Sequence, residues 1–579
     1  MQPFDQHKFL GYVSEVTPGF VKMQLPSALH LGGFYHEGQI YQGGNVGGFV
    51  VIEGGQYGFL GKLYEITLSH NERMEITEQN LQQREESFHP MAKIEILALF
   101  SVYEPEKIIK TVSRYPEIGA KVFSCSNEQI GNYISFFGIK GELVEDTPFV
   151  PLGRLTSNDE TCSVSLDSLF GRHCAVLGTT GGGKSWTVAK LIELYTQHTT
   201  SKCVLIDATG EYSPLVKDNV ENVVMGTGDC IFDYRNLTVD ELFFLLHPSS
   251  KVQVPKLMEA IRSLKMAAID DSFELKTYYR TKEDKPTEYI RGNLEKELKV
   301  RRPYEVFYYN HITEIESKNC NFDFSLLARQ ITLECVWDSD FNNPKCFGKK
   351  SENDFTNCVS LISRVNNVSL TDEYNRIFGF RKKGLPTGFK DLSTIIDSFL
   401  ESADKNCLRL DFSEVGFDYQ VREILVNAIG KYMLNLSRTG KFKTSPVVVF
   451  IDEAHQFLNK TIADEYFTAK PLDAFEQISK ETRKYGLFLC IATQMPRDIP
   501  LGTLSQMGTF IIHRLINDQD KKAVESAASS ANKNSLVYLP ILGEGEALMM
   551  GVDFPMPLTL KIIEPKDKPN SNTPKLKKK

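Results

Sequence analysis

A glycine-rich segment has the residue types and spacing that bind the phosphates of a nucleotide. It runs Gly178-Thr-Thr-Gly-Gly-Gly-Lys-Ser185, directly after the apolar run Cys174–Leu177 and before a helical pattern that starts at Trp186. The backbone N–H groups of such a loop point at a β-phosphate, Lys184 reaches the β and γ oxygens, and the Ser185 hydroxyl ligates Mg²⁺. The residues expected to contact nucleotide are Gly178, Thr179, Thr180, Gly181, Gly182, Gly183, Lys184, Ser185 and Trp186.

A second motif disfavours the alternative that this segment is only a glycine-rich turn before an ordinary helix. Five apolar residues, Val447–Ile451, are followed by Asp452 and Glu453, which is how a buried parallel strand is expected to end. Asp452 is suited to hold Mg²⁺ through water, and Glu453 to polarise the attacking water. A carboxylate beside the metal-binding aspartate favours a motor that turns over ATP continuously, because small switch GTPases use a glutamine for the water.

A third polar residue ends another short apolar strand, Leu487–Thr493. Gln494 follows this strand directly. Carboxyl ends of neighbouring strands converge on the ligand in open α/β sheets, so Gln494 is a candidate contact for the γ-phosphate or the lytic water. The alternative is an ordinary amide at the surface.

The composition describes a globular protein without signs of membrane insertion. Of 579 residues, 41% are apolar and 24% are charged, and the length favours about three domains. No stretch approaches the roughly 20 apolar residues of a membrane span, and the first residues have no signal-peptide pattern. We expect a cytoplasmic protein. The eleven scattered cysteines include no C-x-x-C pair and predict reduced, mostly buried thiols, with no metal other than Mg²⁺ implied.

The net charge of −8 neither indicates nor excludes nucleic-acid binding. A ring-shaped assembly can line a channel with lysines while its rim stays acidic. The clearest basic run is Lys575–Lys579, at the end of a proline- and lysine-rich segment. We interpret residues 565–579 as a disordered basic tail, with contact to DNA or to a partner as the alternative.

The order of predicted elements indicates an α/β fold, with a RecA-like P-loop core, an N-terminal β-barrel and an inserted helical domain. Short strands between glycine turns predict a small barrel, with its linker, over residues 1–145. The first part of the core is expected at 146–235 and the second at 401–564. Amphipathic segments between them predict helices over 236–400, because a P-loop core does not need that much chain.

Six motifs together resemble the HerA family of HerA/FtsK-type ATPases, and the resemblance covers most of the chain. The motifs are Leu177–Ser185, Ile206–Tyr212, Ile451–His455, Thr482–Gly486, Ala492–Pro496 and Leu542–Leu548. Gly182 departs from the family loop, where serine is frequent. The Asp-Glu-Ala-His box also occurs in DEAH RNA helicases, but nothing after Gln494 is long enough to be the second RecA-like half of that class.

The resemblance assigns roles to individual residues. Lys184, Ser185, Asp452, Glu453 and Gln494 match the nucleotide and water contacts of the family.

Two arginines are also implied by the resemblance. Arg483 matches an arginine that serves the γ-phosphate. Arg172 resembles an arginine that reaches a neighbouring subunit's nucleotide, a trans finger able to stabilise transition-state charge. An ordinary surface arginine at a strand entrance is the alternative for Arg172.

The family resemblance also implies an assembly and partners. It implies a homohexameric ring with a HAS-barrel-like N-terminal domain, which uses ATP and Mg²⁺ to translocate double-stranded DNA. It further implies an effector enzyme, a nuclease or a sirtuin-like NAD-consuming protein, in anti-phage defence or DNA end processing. Two other functions stay open: an ATP-binding hexameric scaffold that activates the effector, and a secretion or conjugation ATPase, which would predict membrane association.

Overall fold

The chain forms two compact units, Met1–Ser201 with Phe488–Lys579, and Lys202–Leu487. The structure is a computed structural model. It describes residues 4–32, 34–36, 39–41, 44–74, 88–105, 108–109, 114–125, 129–131, 133, 148–157, 159–215, 217–249, 251–270, 272–273, 292–381, 385–416, 421–458, 472–528, 536–554 and 556–570. Residues 134–145, the last part of the region expected to hold the barrel and its linker, and the tail residues 571–579 lie outside this part of the chain.

The first unit begins with a closed β-barrel, which confirms the prediction for this region. Its strands, with a small hairpin β3–β4, are β1 Phe9–Val16, β2 Val21–Gln24, β3 Phe34–His36, β4 Gln39–Tyr41, β5 Phe49–Ile52, β6 Tyr57–Thr67, β7 Met91–Ser101, β8 Ile108–Ile109 and β9 Lys121–Ser124. Six of them close in the order β2-β1-β9-β5-β6-β7, because β7 pairs back onto β2. β9 is one of the barrel strands and lies between β1 and β5.

Alternating side chains fill the barrel interior. In β2 the apolar residues Val21 and Met23 are buried, whereas Gln24 is exposed. Side chains of this kind from six strands form one apolar cluster, which includes Leu10, Val13, Val50, Ile52, Phe59, Leu63, Ile94, Leu99 and Val122. The barrel is therefore stabilised by its own hydrophobic core.

The remaining strands and the α-helices have the following bounds. The strands are β10 Phe149–Leu155, β11 Thr161–Ser165, β12 Cys174–Leu177, β13 Lys202–Asp207, β14 Val220–Val224, β15 Cys230–Ile231, β16 Lys390–Asp391, β17 Cys407–Asp411, β18 Val447–Ile451, β19 Leu487–Thr493, β20 Thr509–Ile512, β21 Glu546–Gly551 and β22 Leu558–Ile562. The helices are α1 His70–Met74, α2 Leu166–Phe170, α3 Lys184–His198, α4 Val239–Leu246, α5 Gln253–Ile269, α6 Arg301–Asn310, α7 Ile312–Ile315, α8 Leu327–Glu334, α9 Glu352–Leu370, α10 Asp372–Phe378, α11 Leu392–Glu401, α12 Val421–Arg438, α13 Ala474–Glu481, α14 Leu501–Leu504 and α15 Asp518–Ala527.

A second sheet of the first unit positions the glycine loop. Its strand order is β11-β10-β22-β21-β20-β12-β19. β12 is parallel to both of its neighbours, with Leu177 beside Thr493 on one side and beside Ile512 on the other. The strands from β20 to β11 pair in antiparallel fashion. All four residues of β12 are buried, because strands cover both of its edges and side chains cover both faces.

The second unit contains four parallel strands in the order β18-β13-β17-β14. β13, β17 and β18 are buried throughout. β18 is apolar over its whole length, as a fully buried parallel strand is expected to be, whereas β13 and β17 also bury charged residues. Their parallel direction places the residues that follow Asp207, Asp411 and Ile451 at one edge of the sheet. The prediction of an α/β core is therefore confirmed.

Helices α4–α10 occupy the region in which an insertion was expected. β15 pairs with β16, so the chain leaves the neighbourhood of Cys230 and returns to the same place at Lys390. The first of these helices begins with a capping box, in which Thr238 and Glu241 satisfy each other's backbone N–H groups. The insertion boundaries at 236 and 400 stay a prediction.

A buried ionic cluster joins β13 to β17. The guanidinium of Arg409 contacts Asp207 at 2.7 Å and Asp411 at 2.8 Å, and all three side chains are almost completely buried. Asp207 also accepts hydrogen bonds from the N–H groups of Gly210 and Tyr212. Burial raises the pKa of Asp207, and the charge of Arg409 opposes that increase. The cluster is thus stable only while all of its polar groups remain paired.

All eleven cysteines are buried and none forms a disulfide, which confirms the expected free thiols. In the described part of the chain, no group of three or more histidine, cysteine or acidic side chains could hold a metal ion. No helix among those described is both long and apolar enough to cross a membrane.

We expect Arg409→Met to lower the free energy of unfolding by about 3–5 kcal/mol, because it leaves two buried carboxylates without their cation. Arg438→Met is the matched control, since Arg438 pairs with Glu481 at the surface of the same unit. That pair should contribute at most about 1 kcal/mol. Urea unfolding of both variants measures the difference, and equal destabilisation would contradict the role assigned to the cluster.

Candidate nucleotide-binding site

The glycine loop lies between β12 and α3, the strand–loop–helix arrangement that the sequence predicted. Helix α3 begins at Lys184, and its first backbone N–H groups have no acceptor within the helix. These groups and the helix dipole give the loop a positive end that suits a phosphate. Lys184 is itself buried, and Ser185 is half-buried beside it.

Three glycines of the loop, Gly178, Gly181 and Gly183, have backbone conformations that other residues rarely adopt. Gly181 has φ +73° and Gly183 has φ +108°. A Cβ atom at Gly181 would meet no neighbour within 4 Å, whereas one at Gly183 would lie 3.1 Å from Cα of Gly545. The loop is therefore open at its tip and closely packed at its junction with α3, as a cradle for a phosphate requires.

The first residues of the loop are tied to the adjacent strand ends. The N–H of Gly178 donates to the carbonyl of Thr493 at 3.3 Å, and that of Thr179 donates to the carbonyl of Arg514 at 2.9 Å. The Thr179 hydroxyl donates to the same Arg514 oxygen at 3.1 Å. These N–H groups are used to hold the loop, so the amides around the start of α3 are the better candidates for phosphate contact.

Gln494 lies against the loop, as the position of its strand suggested. The Thr180 hydroxyl donates a hydrogen bond to Oε1 of Gln494 at 2.5 Å. This contact joins the end of β19 to the exposed tip of the loop. Its role toward the γ-phosphate or water stays a prediction.

Trp186 and the residues after β22 pack on the same helix. Lys568 Nζ lies 4.8 Å from the centre of the Trp186 ring, and the N–H of Lys566 donates to the Glu193 carboxylate. Residues 565–570, which we expected to begin the disordered tail, thus lie along α3. The contact between Lys568 and Trp186 joins residues almost 400 positions apart in the chain, so no local sequence pattern could predict it.

Asp452 and Glu453 follow β18 in the second unit. The N–H of Asp452 donates to the Ile206 carbonyl at 3.1 Å, and its side chain is buried. Glu453 has φ +46°, in the left-handed region, which costs a non-glycine residue about 1–2 kcal/mol. Nδ1 of His455 lies 3.3 Å from its carboxylate. Strained backbone of this kind is concentrated at functional sites.

The two predicted arginines have different surroundings. Arg483 lies in a short 3₁₀-helix of the second unit, Thr482–Tyr485, and is exposed. Nε of Arg172, in the first unit, lies 3.0 Å from Oδ2 of Asp553, and a Cβ at Gly508 would clash with its side chain. The intrachain contact with Asp553 favours a positioned arginine. Its reach into a neighbouring subunit stays a prediction.

His513 is a further residue of the site that sequence reasoning missed. It directly follows β20, and its side chain is fully buried against the loop. Nε2 lies 2.8 Å from the Thr187 hydroxyl, and Nδ1 lies 2.8 Å from the Glu546 carbonyl oxygen. Burial, together with the nearby charge of Lys184, lowers the pKa of His513 to about 4. A polar residue at the end of a strand parallel to β12 is the signal that could have revealed it.

The parallel strands, the glycine loop and the helix after it define the class of this protein, a P-loop nucleotide hydrolase. Models of two domains match the chain: "Helicase HerA, central domain" matches residues 150–333, and "Helicase HerA-like C-terminal" matches residues 425–563. Together these segments make up more than half of the chain. The protein belongs to the HerA helicase family and is an ATP-hydrolysing enzyme.

Several proteins of known description are similar to this chain. A probable helicase of Methanocaldococcus jannaschii is 25% identical over 402 residues, which are 68% of this chain and 66% of that protein. The DNA double-strand break repair helicase HerA of Sulfurisphaera tokodaii is 24% identical, with 77% and 73% covered. Among solved structures, VirB4 of Thermoanaerobacter pseudethanolicus superposes with a TM-score of 0.41 at 14% identity, with 73% of this chain and 98% of that chain covered.

We expect Gly183→Ala to weaken ATP binding about 100-fold and Gly181→Ala about tenfold. Both variants place a side chain at positive φ, which costs about 1–2 kcal/mol, but only the Cβ at position 183 also contacts Gly545. Equilibrium titration with a fluorescent ATP analogue measures the two affinities. Equal effects would show that the contact between Gly183 and Gly545 does not shape the cradle.

Proposed function

We propose that this protein is an ATP-driven motor that translocates double-stranded DNA. The observation that carries the proposal is the phosphate cradle at the start of α3, with Gln494 in contact with its tip through Thr180. Membership of the HerA helicase family supports DNA as the substrate, since relatives such as that of Sulfurisphaera tokodaii are named as DNA repair helicases.

Each residue of the proposed site has a separate role in ATP hydrolysis. The amides at the start of α3 and the charge of Lys184 bind the phosphates and orient the γ-phosphate. Ser185 and Asp452 would hold Mg²⁺, which neutralises charge on the β- and γ-phosphates when it is bound. Glu453 would polarise the attacking water, with Gln494 and Arg483 as further contacts at the γ-phosphate. The strained backbone of Glu453 supports a functional role for that carboxylate.

We further propose a homohexameric ring that contacts the duplex through its phosphates. Phosphate contacts make binding tolerant of sequence and weaker as salt increases. The ring would work with an effector enzyme, a nuclease or a sirtuin-like NAD-consuming protein, in DNA end processing or anti-phage defence. The closed barrel supports this part of the proposal, because it is a self-supporting domain that can provide a docking surface.

The second candidate is a hexameric scaffold that binds ATP and activates the effector, with DNA translocation secondary. The barrel and helices α4–α10 favour it, since they add surface beyond what ATP hydrolysis requires. The two functions differ in one respect, namely whether the effector needs hydrolysis or only ATP binding. A Glu453→Gln ring that still activates a co-purifying enzyme would establish the scaffold, and loss of that activity would establish the need for hydrolysis.

DNA-stimulated release of phosphate from ATP tests the motor. We expect duplex DNA to stimulate turnover and increasing salt to suppress the stimulation. Lys184→Ala should abolish ATP binding, whereas Glu453→Gln should retain binding and lower turnover about 100-fold or more. Glu401→Gln is the control for Glu453→Gln, because its carboxylate pairs with Lys441 at the surface. The absence of both DNA binding and stimulation in the wild-type protein would refute the motor.

A mixing experiment tests Arg172 as a trans finger. Arg172→Ala subunits mixed with Lys184→Ala subunits should partly recover ATP turnover, because some interfaces then combine an intact arginine with an intact phosphate loop. Asp553→Ala provides the control, since it removes the intrachain partner of Arg172 and leaves the guanidinium in place. No recovery at any mixing ratio, together with an equal defect in Asp553→Ala, would assign Arg172 a structural role instead.

A further inference from the structure

The phosphate loop is seated on the residues that follow β20. The N–H of His513 donates to the carbonyl of Leu177, the last residue of β12, at 2.7 Å. The residue after His513 also holds the loop, because the carbonyl of Arg514 accepts hydrogen bonds from both the N–H and the hydroxyl of Thr179. The backbone at His513 and Arg514 therefore holds the point at which the chain leaves β12 and enters the loop.

The side chain of His513 packs against the glycines of the loop. A Cβ atom at Gly178 would lie 2.6 Å from Cβ of His513, and one at Gly183 would lie 3.3 Å from Cε1 of its ring. A Cβ at Gly182 would lie 3.4 Å from the same histidine Cβ. The side chain thus contacts the loop along most of its length, on the side where the loop meets the sheet.

The hydrogen bonds of the ring determine its tautomer. The Glu546 carbonyl oxygen can only accept, so Nδ1 of His513 must carry the proton that it donates. In the neutral ring Nε2 then has a free lone pair, and it accepts a hydrogen bond from the Thr187 hydroxyl. Thr187 lies in the first turn of α3, and its N–H donates to the carbonyl of Gly183.

The ring also ties the loop to the start of β21. Glu546, its acceptor, is the first residue of that strand. The preceding residue, Gly545, donates its N–H to the carbonyl of Gly182 at 3.3 Å. The loop, the first turn of α3 and the start of β21 are therefore connected through one buried side chain.

Packing alone does not account for a histidine at this position. The two residues before it, Ile511 and Ile512, are apolar and fully buried. A third apolar residue would fill the space without the cost of burying a polar ring, which the two hydrogen bonds of the histidine only offset. The directional bonds of His513 thus contribute mainly to geometry, with little net effect on stability.

We propose that His513 is a positioning residue for nucleotide binding, which orients the phosphate loop and the first turn of α3 through Thr187. This inference rests on the proposed ATPase site. His513 does not contact the nucleotide; it holds the amides of the loop and the start of α3 in the geometry that binds phosphate. Its neutral form avoids a second positive charge beside Lys184, which is consistent with the lowered pKa of the ring.

Two substitutions remove the hydrogen bond between His513 and Thr187 from opposite sides. His513→Leu keeps most of the volume and removes both ring bonds, and Thr187→Val removes only the hydroxyl. We expect each to raise the dissociation constant and the KM for ATP about tenfold, as for the loss of one buried hydrogen bond. The kcat at saturating ATP should stay within about twofold of the wild-type value. The double variant should bind ATP no more weakly than His513→Leu alone, because both substitutions remove the same hydrogen bond. His513→Gln, which retains an acceptor, should recover part of the affinity.

The control is another buried histidine of the same unit. His173 accepts a hydrogen bond from the Leu489 N–H at the opposite end of β12, away from the loop. Its φ is +62°, so His173→Asn is the conservative choice. This variant should lower the melting temperature without changing the dissociation constant for ATP by more than about twofold.

The outcomes separate this inference from the proposed function. A wild-type protein that binds no ATP would refute both. In another outcome, the wild type binds ATP, and the folded Thr187→Val and His513→Gln proteins have the same dissociation constant for ATP as the wild type. That result would overturn only the role of His513. A loss of affinity in Thr187→Val that His513→Leu does not share would also overturn it. Should His513→Leu fail to fold, the decision rests on Thr187→Val and His513→Gln.

Discussion

The nucleotide site depends on the central position of β12 between two parallel neighbours. Leu177 ends this strand, and the strands on both sides provide the acceptors that fix the residues after it. The carbonyl of Thr493, at the end of β19, accepts a hydrogen bond from the N–H of Gly178. The carbonyl of Arg514, after β20, accepts one from the N–H of Thr179. A loop of glycines has little conformational preference of its own, so these backbone bonds hold it in one shape. The amides that remain at the start of α3 are then the ones available to a phosphate.

Buried polar side chains are stabilised in two different ways in this protein. In the second unit, the buried guanidinium of Arg409 forms ion pairs with the carboxylates of Asp207 and Asp411. In the first unit, no carboxylate of the described residues pairs with the buried His513, and its ring stays neutral next to the charge of Lys184. Burial penalises a charge unless an opposite charge offsets the loss of water. The ion cluster therefore holds strands together, whereas the neutral ring can accept one directed hydrogen bond from Thr187.

Much of the fold could be predicted from patterns that are continuous in the sequence. The strands β12 and β18 are uninterrupted apolar runs, and β13 contains the apolar run 203–206. The amphipathic segments of the insertion correspond to α4, α5, α8 and α9. The antiparallel strands β10, β11 and β22 escaped prediction. Pro151 and Gly153 interrupt the pattern of β10, and the structure accommodates them with a shift of register.

The sequence alone predicted the chemistry of this protein, because two motifs, the glycine loop with Lys184 and the pair Asp452 and Glu453 after an apolar strand, are each recognised by residue types at short spacing. The tertiary structure decided which distant residues support that chemistry. Arg172 meets Asp553, Trp186 meets Lys568 and Thr187 meets His513, each across more than 300 residues of chain. Such contacts depend on the order of strands in a sheet, and strand order follows from the packing of the whole unit, which no local pattern of residues contains.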